Sequence, residues 1–459
     1  MTAHASYASR TESPKPSLSF ISTASCSPSR WNISPTASSP SSPNLSSRTT
    51  DISVMSRIRL PLSSETLFPA GMIPLTAAVF MIPMSLSPCT DGSTTCRLVF
   101  SCPLPCHVLR SNFKSARHRL IETSMSFKEE IDKAEMRSIV SHFPELLTAT
   151  RLQREANSHF NELSEEGIDG ICFLGMGGSS IASRYVISLL SKTVELPLVE
   201  IHDRAIPAFI SKRFVTVAVS YSGNTKETLL AHKMAVQRGC NTVAVTSGGK
   251  LSEGEYDLLI TLPAGYPPRG AFPMMLSVLL PTAEILSSQP VTDFNHMKPE
   301  LVNLSAEWRE NNGPLETAKR ISGRIPVFLG SDELQVVAYR AKCQINENAK
   351  SQAFASPLPE ASHNEIEGYT KELAKTLAPV FLRSETESSF NRKLVDGMSE
   401  ILSDLGYSCT SIMTKARNSI SRMLDLTYYL DYLSIELASV LDVESLDVPM
   451  ISRIKRMLE

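Results

Sequence analysis

Between residues 171 and 246, short apolar runs alternate with segments of helical length, and no other feature of the chain constrains the fold as much. Ile171–Leu174, Leu198–Ile201, Val215–Val219 and Thr242–Thr246 have the length and apolar or β-branched content of buried strands. Ser180–Leu190 and Thr225–Arg238 have the length and patterning of helices between them. Strands alternating with helices predict a parallel sheet covered by helices on both faces. A second alternation follows the polar stretch 289–313. It comprises strands at Pro326–Gly330, Ala378–Leu382 and Tyr407–Met413, with helices at Leu334–Lys350, Ser388–Leu405 and Ser419–Leu441. FLGMGGSS at 173–180 is echoed by VFLGSDE at 327–333, each a strand entering a helix through Leu-Gly. The echo suggests two copies of one α/β fold. The expected architecture is two three-layer α/β/α domains with parallel sheets, over 125–290 and 314–459. Two helices interrupted by Pro144 are expected over 126–166, leading into the first domain.

Residues 1–124 are of another character. They hold 27 serines, 13 of the 29 prolines and five of the nine cysteines, with eleven basic residues against five acidic ones. No period of 2 or 3.6 persists, so no face is available to bury. The apolar run Leu67–Leu86 contains Pro69, Pro74 and Pro83, which argues against a membrane helix. Cys89, Cys96, Cys102, Cys106 and His107 lack the paired spacing of a zinc knuckle. This segment reads as a disordered or spurious extension, from translation upstream of Met125, with an organelle transit peptide as the alternative. The remainder is acidic, which offers no basic footprint for nucleic acid. Its Cys172, Cys240, Cys343 and Cys409 stand apart in apolar or helical settings, as reduced thiols do. No metal-ligand cluster appears there, and no metal or cofactor is expected.

Two loops carry the chemistry. Gly175-Met-Gly-Gly-Ser-Ser180 joins a strand to a helix, where glycines let the backbone approach a ligand and the free N–H groups of a helix start attract an anion. A dinucleotide fingerprint needs a third glycine where Ser180 stands, although Asp203 lies where a ribose-binding acid would sit. Val219-Ser-Tyr-Ser-Gly-Asn-Thr225 then opens a second helix after the third strand, with hydroxyls on Ser220, Ser222 and Thr225. Two such loops on neighbouring strands can converge on one phosphate, with Gly178 and Ser179 from the first and the three hydroxyls from the second. Hydroxyl residues at a helix start also serve as plain N-caps, and that reading stands beside it.

Together, GMGGSSIA at 175–182 and VSYSGNTKETL at 219–229 resemble a sugar isomerase (SIS) domain. With GGK at 248–250, PPRGAF at 267–272, YRAKCQINENAK at 339–350 and HNEI at 363–366, the chain resembles the bifunctional phosphoglucose/phosphomannose isomerase family over about 150–459. The resemblance implies a metal-free aldose–ketose isomerase that interconverts glucose 6-phosphate, or mannose 6-phosphate, with fructose 6-phosphate through a cis-enediolate. It implies a cytoplasmic homodimer serving glycolysis and gluconeogenesis, with no nucleic-acid or membrane partner. By motif, Glu347 matches the family's base and Arg269 the cation beside the enediolate oxygens. His363 matches the ring-opening acid/base that the partner subunit presents, and Lys455 a sugar-contacting lysine near the C-terminus. Glu365 is a nearby carboxylate held in reserve. The family's threonine upstream of that lysine has no counterpart in Asp447-Val-Pro-Met-Ile, a departure that bears on the mannose epimer. Two rivals remain: a non-catalytic sugar-phosphate sensor, which would need the serine loops but not Glu347 or His363, and a nucleotide-dependent oxidoreductase.

Overall fold

The computed structural model describes residues 119–122 and 135–458, apart from 151 and 153. The readings made above for the Leu67–Leu86 run, for the cysteines between 89 and 106, and for the helix start at 126–134 lie outside the described residues.

A first parallel sheet has six strands: β1 (Arg119–Glu122), β2 (Gly170–Gly175), β3 (Leu198–Ile201), β4 (Phe214–Val219), β5 (Asn241–Thr246) and β6 (Leu258–Thr261). Their spatial order is β1-β6-β5-β4-β2-β3. β1 pairs in parallel with β6, so this sheet takes in a strand from upstream of Met125, where the change in composition puts the start of the fold. Around it run α1 (Met136–Ser141), α2 (Phe143–Ala149), α3 (Arg154–Glu166), α4 (Gly178–Leu190), α5 (Lys226–Gln237), α6 (Gly249–Ser252) and α7 (Phe272–Leu286). Three helices thus occupy the stretch expected to hold two. Pro144 falls in the first turn of α2, where its missing N–H breaks no ladder bond.

The polar stretch 289–313, for which the sequence reading gives no secondary structure, contains α8 (Lys298–Asn311), and α9 (Gly313–Ile321) begins at its end. A second parallel sheet is built from β7 (Ile325–Ser331), β8 (Phe354–Leu358), β9 (Leu377–Ser384) and β10 (Thr410–Thr414), in the order β10-β9-β7-β8. Its helices are α10 (Leu334–Asn348), α11 (Ser389–Asp404) and α12 (Ser419–Val440), and the chain ends in α13 (Pro449–Leu458).

The layers follow from the alternation of side chains along each strand. Ile171 and Phe173 of β2 join a central core with α4, α7, α10 and α12, while Cys172 and Leu174 face an outer core with Ala231 and Ala235 of α5. Phe328 and Val380 of the second sheet enter the same central core, and Val327, Leu329 and Phe381 face α11 on the far side. A shared helical layer therefore lies between two sheets. Tyr185 of α4 meets Phe272 of α7 edge-on at 4.8 Å and shares a 2.6 Å hydrogen bond with Thr427 of α12. All fifteen residues of α7 are buried. The four cysteines named above are free thiols, with Cys172 and Cys240 buried.

One buried carboxyl in this core makes stability depend on pH. Asp425 of α12 is 7% exposed, accepts a 2.8 Å hydrogen bond from Thr414 at the end of β10, and is pushed up to about 7 by burial. A carboxyl raised in the folded state contributes stability that is fully present below about pH 4 and lost as pH rises through about 7. Asp425→Asn should therefore gain on the wild type by roughly 1–4 kcal/mol between pH 4.5 and pH 8, measured by urea unfolding. A difference between the two proteins that stays constant with pH would refute this.

Candidate active site

Strand order reverses between β2 and β4, since β3 lies on one side of β2 and β4 on the other. The carboxyl edge at such a reversal leaves a crevice in a parallel sheet. The two glycine/serine loops both open there, Gly175–Gly178 after β2 and Ser220–Thr225 after β4. Gly177 precedes α4 with φ +55°, in the left-handed region that favours glycine. A Cβ on Gly178 would lie 3.1 Å from the backbone of both Pro268 and Arg269, so this loop is pressed against the Pro-Pro-Arg turn.

Ser179 is buried, and its Oγ accepts a 3.0 Å hydrogen bond from the N–H of Tyr221, which ties the first loop to the second. Ser220 Oγ donates to Thr225 Oγ1 at 3.0 Å, Ser222 is exposed, and Thr225 stands at the N-cap of α5 without a side-chain cap bond. Behind them, Gly223 meets the backbone of the Gly248-Gly249 turn so closely that a Cβ would fall 1.7 Å from the Gly248 carbonyl oxygen. The hydroxyls expected to hold phosphate thus sit on a loop braced by backbone.

Arg269 is 3% exposed, and most of its donors are already engaged. Nε donates to Asn348 Oδ1 at 2.6 Å, and Nη2 donates to the carbonyls of Ser445 and Leu446 at 2.8 and 2.7 Å. Nη1 lies 3.7 Å from the carboxylate of Glu347, whose side chain is 26% exposed on the last turn of α10. Burial pushes the Arg269 pKa down, and the nearby Glu347 and Glu444 carboxylates oppose that. Lys350, just past α10, donates to the carbonyl oxygens of Glu347 and Asn348 at 3.0 and 3.4 Å. Burial and then the charge of Arg269 push its ammonium pKa down. Asn348 and Lys350 escaped the sequence reading because a polar residue late in a helix looks like a surface residue. Their place in Asn-Glu-Asn-Ala-Lys was the available signal.

The structure brings Arg269, Glu347 and the two loops together, but leaves two expected residues apart. His363 is exposed on a 3₁₀ turn (Glu360–His363) beyond the edge strand β8, and it has no hydrogen-bonding partner among the described residues. Glu365 beside it accepts a hydrogen bond of 2.5 Å from Ser356. Lys455 is exposed on α13. The end of that helix reaches the second loop, where Lys226 donates to the carbonyl of Leu458. Asp203 is exposed beyond β3, and its carboxylate accepts from the N–H of Arg204.

The second sheet has its own reversal, between β7 and β9. The loop there, Ser331-Asp332-Glu333, presents carboxylates in place of glycines. Asp332 takes a φ of +50°, accepts from Asn391 at 2.7 Å and pairs with Lys192 at 3.1 Å, while Glu333 pairs with Arg422 of α12. Among the described residues no helix is long and apolar enough to cross a membrane, and no group of three or more His, Cys, Asp or Glu could hold a metal ion.

Comparison with known proteins places this arrangement. Residues 310–458 match the family model of the bacterial phospho-glucose isomerase C-terminal SIS domain. A bifunctional phosphoglucose/phosphomannose isomerase of Aquifex aeolicus is 31% identical over 295 residues, covering 63% of this chain and 90% of that protein. A D-glucosamine-6-phosphate 4-epimerase of Sulfolobus acidocaldarius is 37% identical over 236 residues, covering 49% of this chain and 74% of that protein. Among solved structures, the C-terminal domain of glucosamine-fructose-6-phosphate aminotransferase from Francisella tularensis shares the fold. Its TM-score is 0.53 at 17% identity, over 68% of this chain and 97% of that one. On these matches, the chain belongs to the bifunctional phosphoglucose/phosphomannose isomerase family of SIS-fold proteins.

Proposed function

We propose that the chain is an aldose–ketose isomerase that interconverts glucose 6-phosphate and fructose 6-phosphate, with mannose 6-phosphate as a second aldose. The observation that carries this reading is the buried Arg269 guanidinium beside the half-buried Glu347 carboxylate, immediately behind the glycine loop at the strand-order reversal. Moving a carbonyl between C1 and C2 needs a base for the proton next to the carbonyl and a fixed cation for the oxygens of the resulting enediolate. Glu347 takes the C2 proton and returns it to C1. Nη1 of Arg269, which makes no hydrogen bond among the described residues and lies 3.7 Å from the Glu347 carboxylate, faces the charge that develops on O1 and O2. Gly178, Ser179, Ser220, Ser222 and Thr225 hold the phosphate through hydroxyls and backbone N–H groups at two helix starts. Neither a metal nor a cofactor is needed for this proton transfer.

Ring opening requires another acid/base, and His363 takes that role from the partner subunit of a homodimer. Its exposure, and its lack of any partner among the described residues, support a role outside its own subunit. Lys455 contacts the sugar from α13. The enzyme works in the cytoplasm, in glycolysis and gluconeogenesis.

Coupled assays with glucose 6-phosphate, mannose 6-phosphate and glucosamine 6-phosphate test the reading. Turnover of the hexose 6-phosphates should fall by about 10²–10⁴-fold in Glu347→Gln, with little change in KM. Turnover of glucosamine 6-phosphate alone would overturn the proposed reaction. Replacing Ser222 and Thr225 together by Ala should raise the KM for sugar phosphates and weaken competitive inhibition by inorganic phosphate, since two contacts to a charged group are removed. Inhibition as strong as in the wild type would place the phosphate elsewhere. For the dimer, Glu347→Gln and His363→Ala should complement on subunit exchange. A mixed dimer has one site with both lesions and one with neither, so equal mixing should restore up to about a quarter of wild-type activity. No gain over the parents, despite exchange verified by mass spectrometry, would put both residues in one subunit's site.

A further inference from the structure

We infer that Asn348 is a positioning residue that aims Arg269 at the reacting atoms, acting through a one-way hydrogen-bond relay from α12. The kinetic part of this inference rests on the isomerase reading, whereas the geometric part does not.

The relay runs between two helices of the central layer. Ser434 Oγ donates to the carbonyl of Asp431 at 2.6 Å, which commits its only proton. Its lone pair therefore accepts, and Nδ2 of Asn348 donates to it at 2.9 Å. With Nδ2 turned to Ser434, Oδ1 of the same planar amide must face the other way, where it accepts Nε–H of Arg269 at 2.6 Å. Reversing the amide would set two donors against each other on the Arg269 side. Asn348 and Ser434 are both fully buried, so no solvent competes for these bonds.

A guanidinium is rigid and planar. Nε and Nη2 form one edge of it. Asn348 fixes Nε, and the carbonyls of Ser445 and Leu446 fix Nη2. With that edge pinned, no torsion remains to move Nη1, which points to Glu347 at 3.7 Å. The two anchors differ in kind. Ser445 and Leu446 belong to the connection before the exposed helix α13, whereas Asn348 sits on α10 next to Glu347 itself. Asn348 thus references the cation to the same helical turn that carries the base. Its side-chain amide is engaged by Ser434 and Arg269, so it acts on the reacting atoms only through Arg269.

Two measurements test the relay. The first needs no turnover: the Nε–H resonance of Arg269, assigned by its loss in Arg269→Lys, should exchange with solvent at least about tenfold more slowly than those of exposed arginines. It should stay slow in Asn348→Asp, which keeps an acceptor, and become fast in Asn348→Ala. The second is kinetic. Asn348→Ala should lower kcat by about 10–10²-fold with KM within about threefold, and should raise the primary isotope effect for sugar deuterated at C2. A merely destabilised protein would lose active sites without changing KM or the isotope effect. Fast exchange in the wild type overturns the inference even if Asn348→Ala fails to fold. So does a kcat within about twofold of wild type in a folded Asn348→Ala. If the wild type isomerises no sugar phosphate, the proposed function fails, and the exchange data still decide whether Asn348 holds Arg269.

Discussion

The ion pair between Arg340 of α10 and Asp431 of α12 underlies both the helical layer and the site. Its closest approach is 2.6 Å, and both side chains are under 5% exposed. Burial pushes the Asp431 carboxyl upward, and the Arg340 guanidinium opposes that shift, with Gln344 donating a further hydrogen bond at 3.0 Å. A charge this deep is tolerated because every partner is present; deleting one member of such a pair typically costs about 3–5 kcal/mol. Arg340 also lies over the ring of Phe272 at 4.1 Å and donates to the carbonyl of Arg269 at 3.2 Å. One guanidinium thus links α10, α12, the start of α7 and the loop that carries the proposed catalytic arginine.

Spacing along α10 explains how this linkage reaches the chemistry. Arg340, Gln344 and Asn348 recur every four residues, so they lie along one face of the helix and meet Asp431 and Ser434 on α12. Glu347 is offset by one position, which turns its carboxylate away from the buried face to the half-exposed side. A polar stripe through an apolar layer fixes the rotation and register of α10 more tightly than hydrophobic packing, which tolerates sliding. The proposed base, Glu347, and the proposed cation, Arg269, are therefore both referenced to α10, through the helix itself and through the bonds of Asn348 and Arg340 to Arg269.

Much of the first sheet was legible in the sequence because its strands are short, largely apolar or β-branched, and separated by segments of helical or polar character. β3 spans Leu198–Ile201 in the structure as in the sequence reading. α7 was not legible, since a helix apolar on every side has no 3.6-residue period, and its Pro281 reads as a breaker. β8 carries Ser356-Pro357 and exposes Phe354, an edge-strand pattern that resembles a loop. α8 buries only Leu301 and Ser305, so its sequence looks like a linker. At the site, Gly178 and Arg269 were named from motifs and meet through backbone contact. The Ser434–Asn348–Arg269 relay could not be foreseen, because it joins residues 79 and 86 positions apart that only packing brings together.

The two halves echo each other in sequence, yet their crevices have opposite electrostatic character. In the register of the echo, Asp332 stands where the first loop has Gly177. Its left-handed backbone and its bonds to Asn391 and Lys192 set a carboxylate at the second reversal. An incoming phosphate would meet Asp332 and Glu333 as like charges, so the second crevice is in effect already occupied by an anion of the chain itself. The second reversal is thus filled by the chain's own carboxylates, where the first carries glycines and hydroxyls. Asp332 and Glu333 are committed to the protein itself, Asp332 to Lys192 of the first half and Asn391 of α11, and Glu333 to Arg422 of α12.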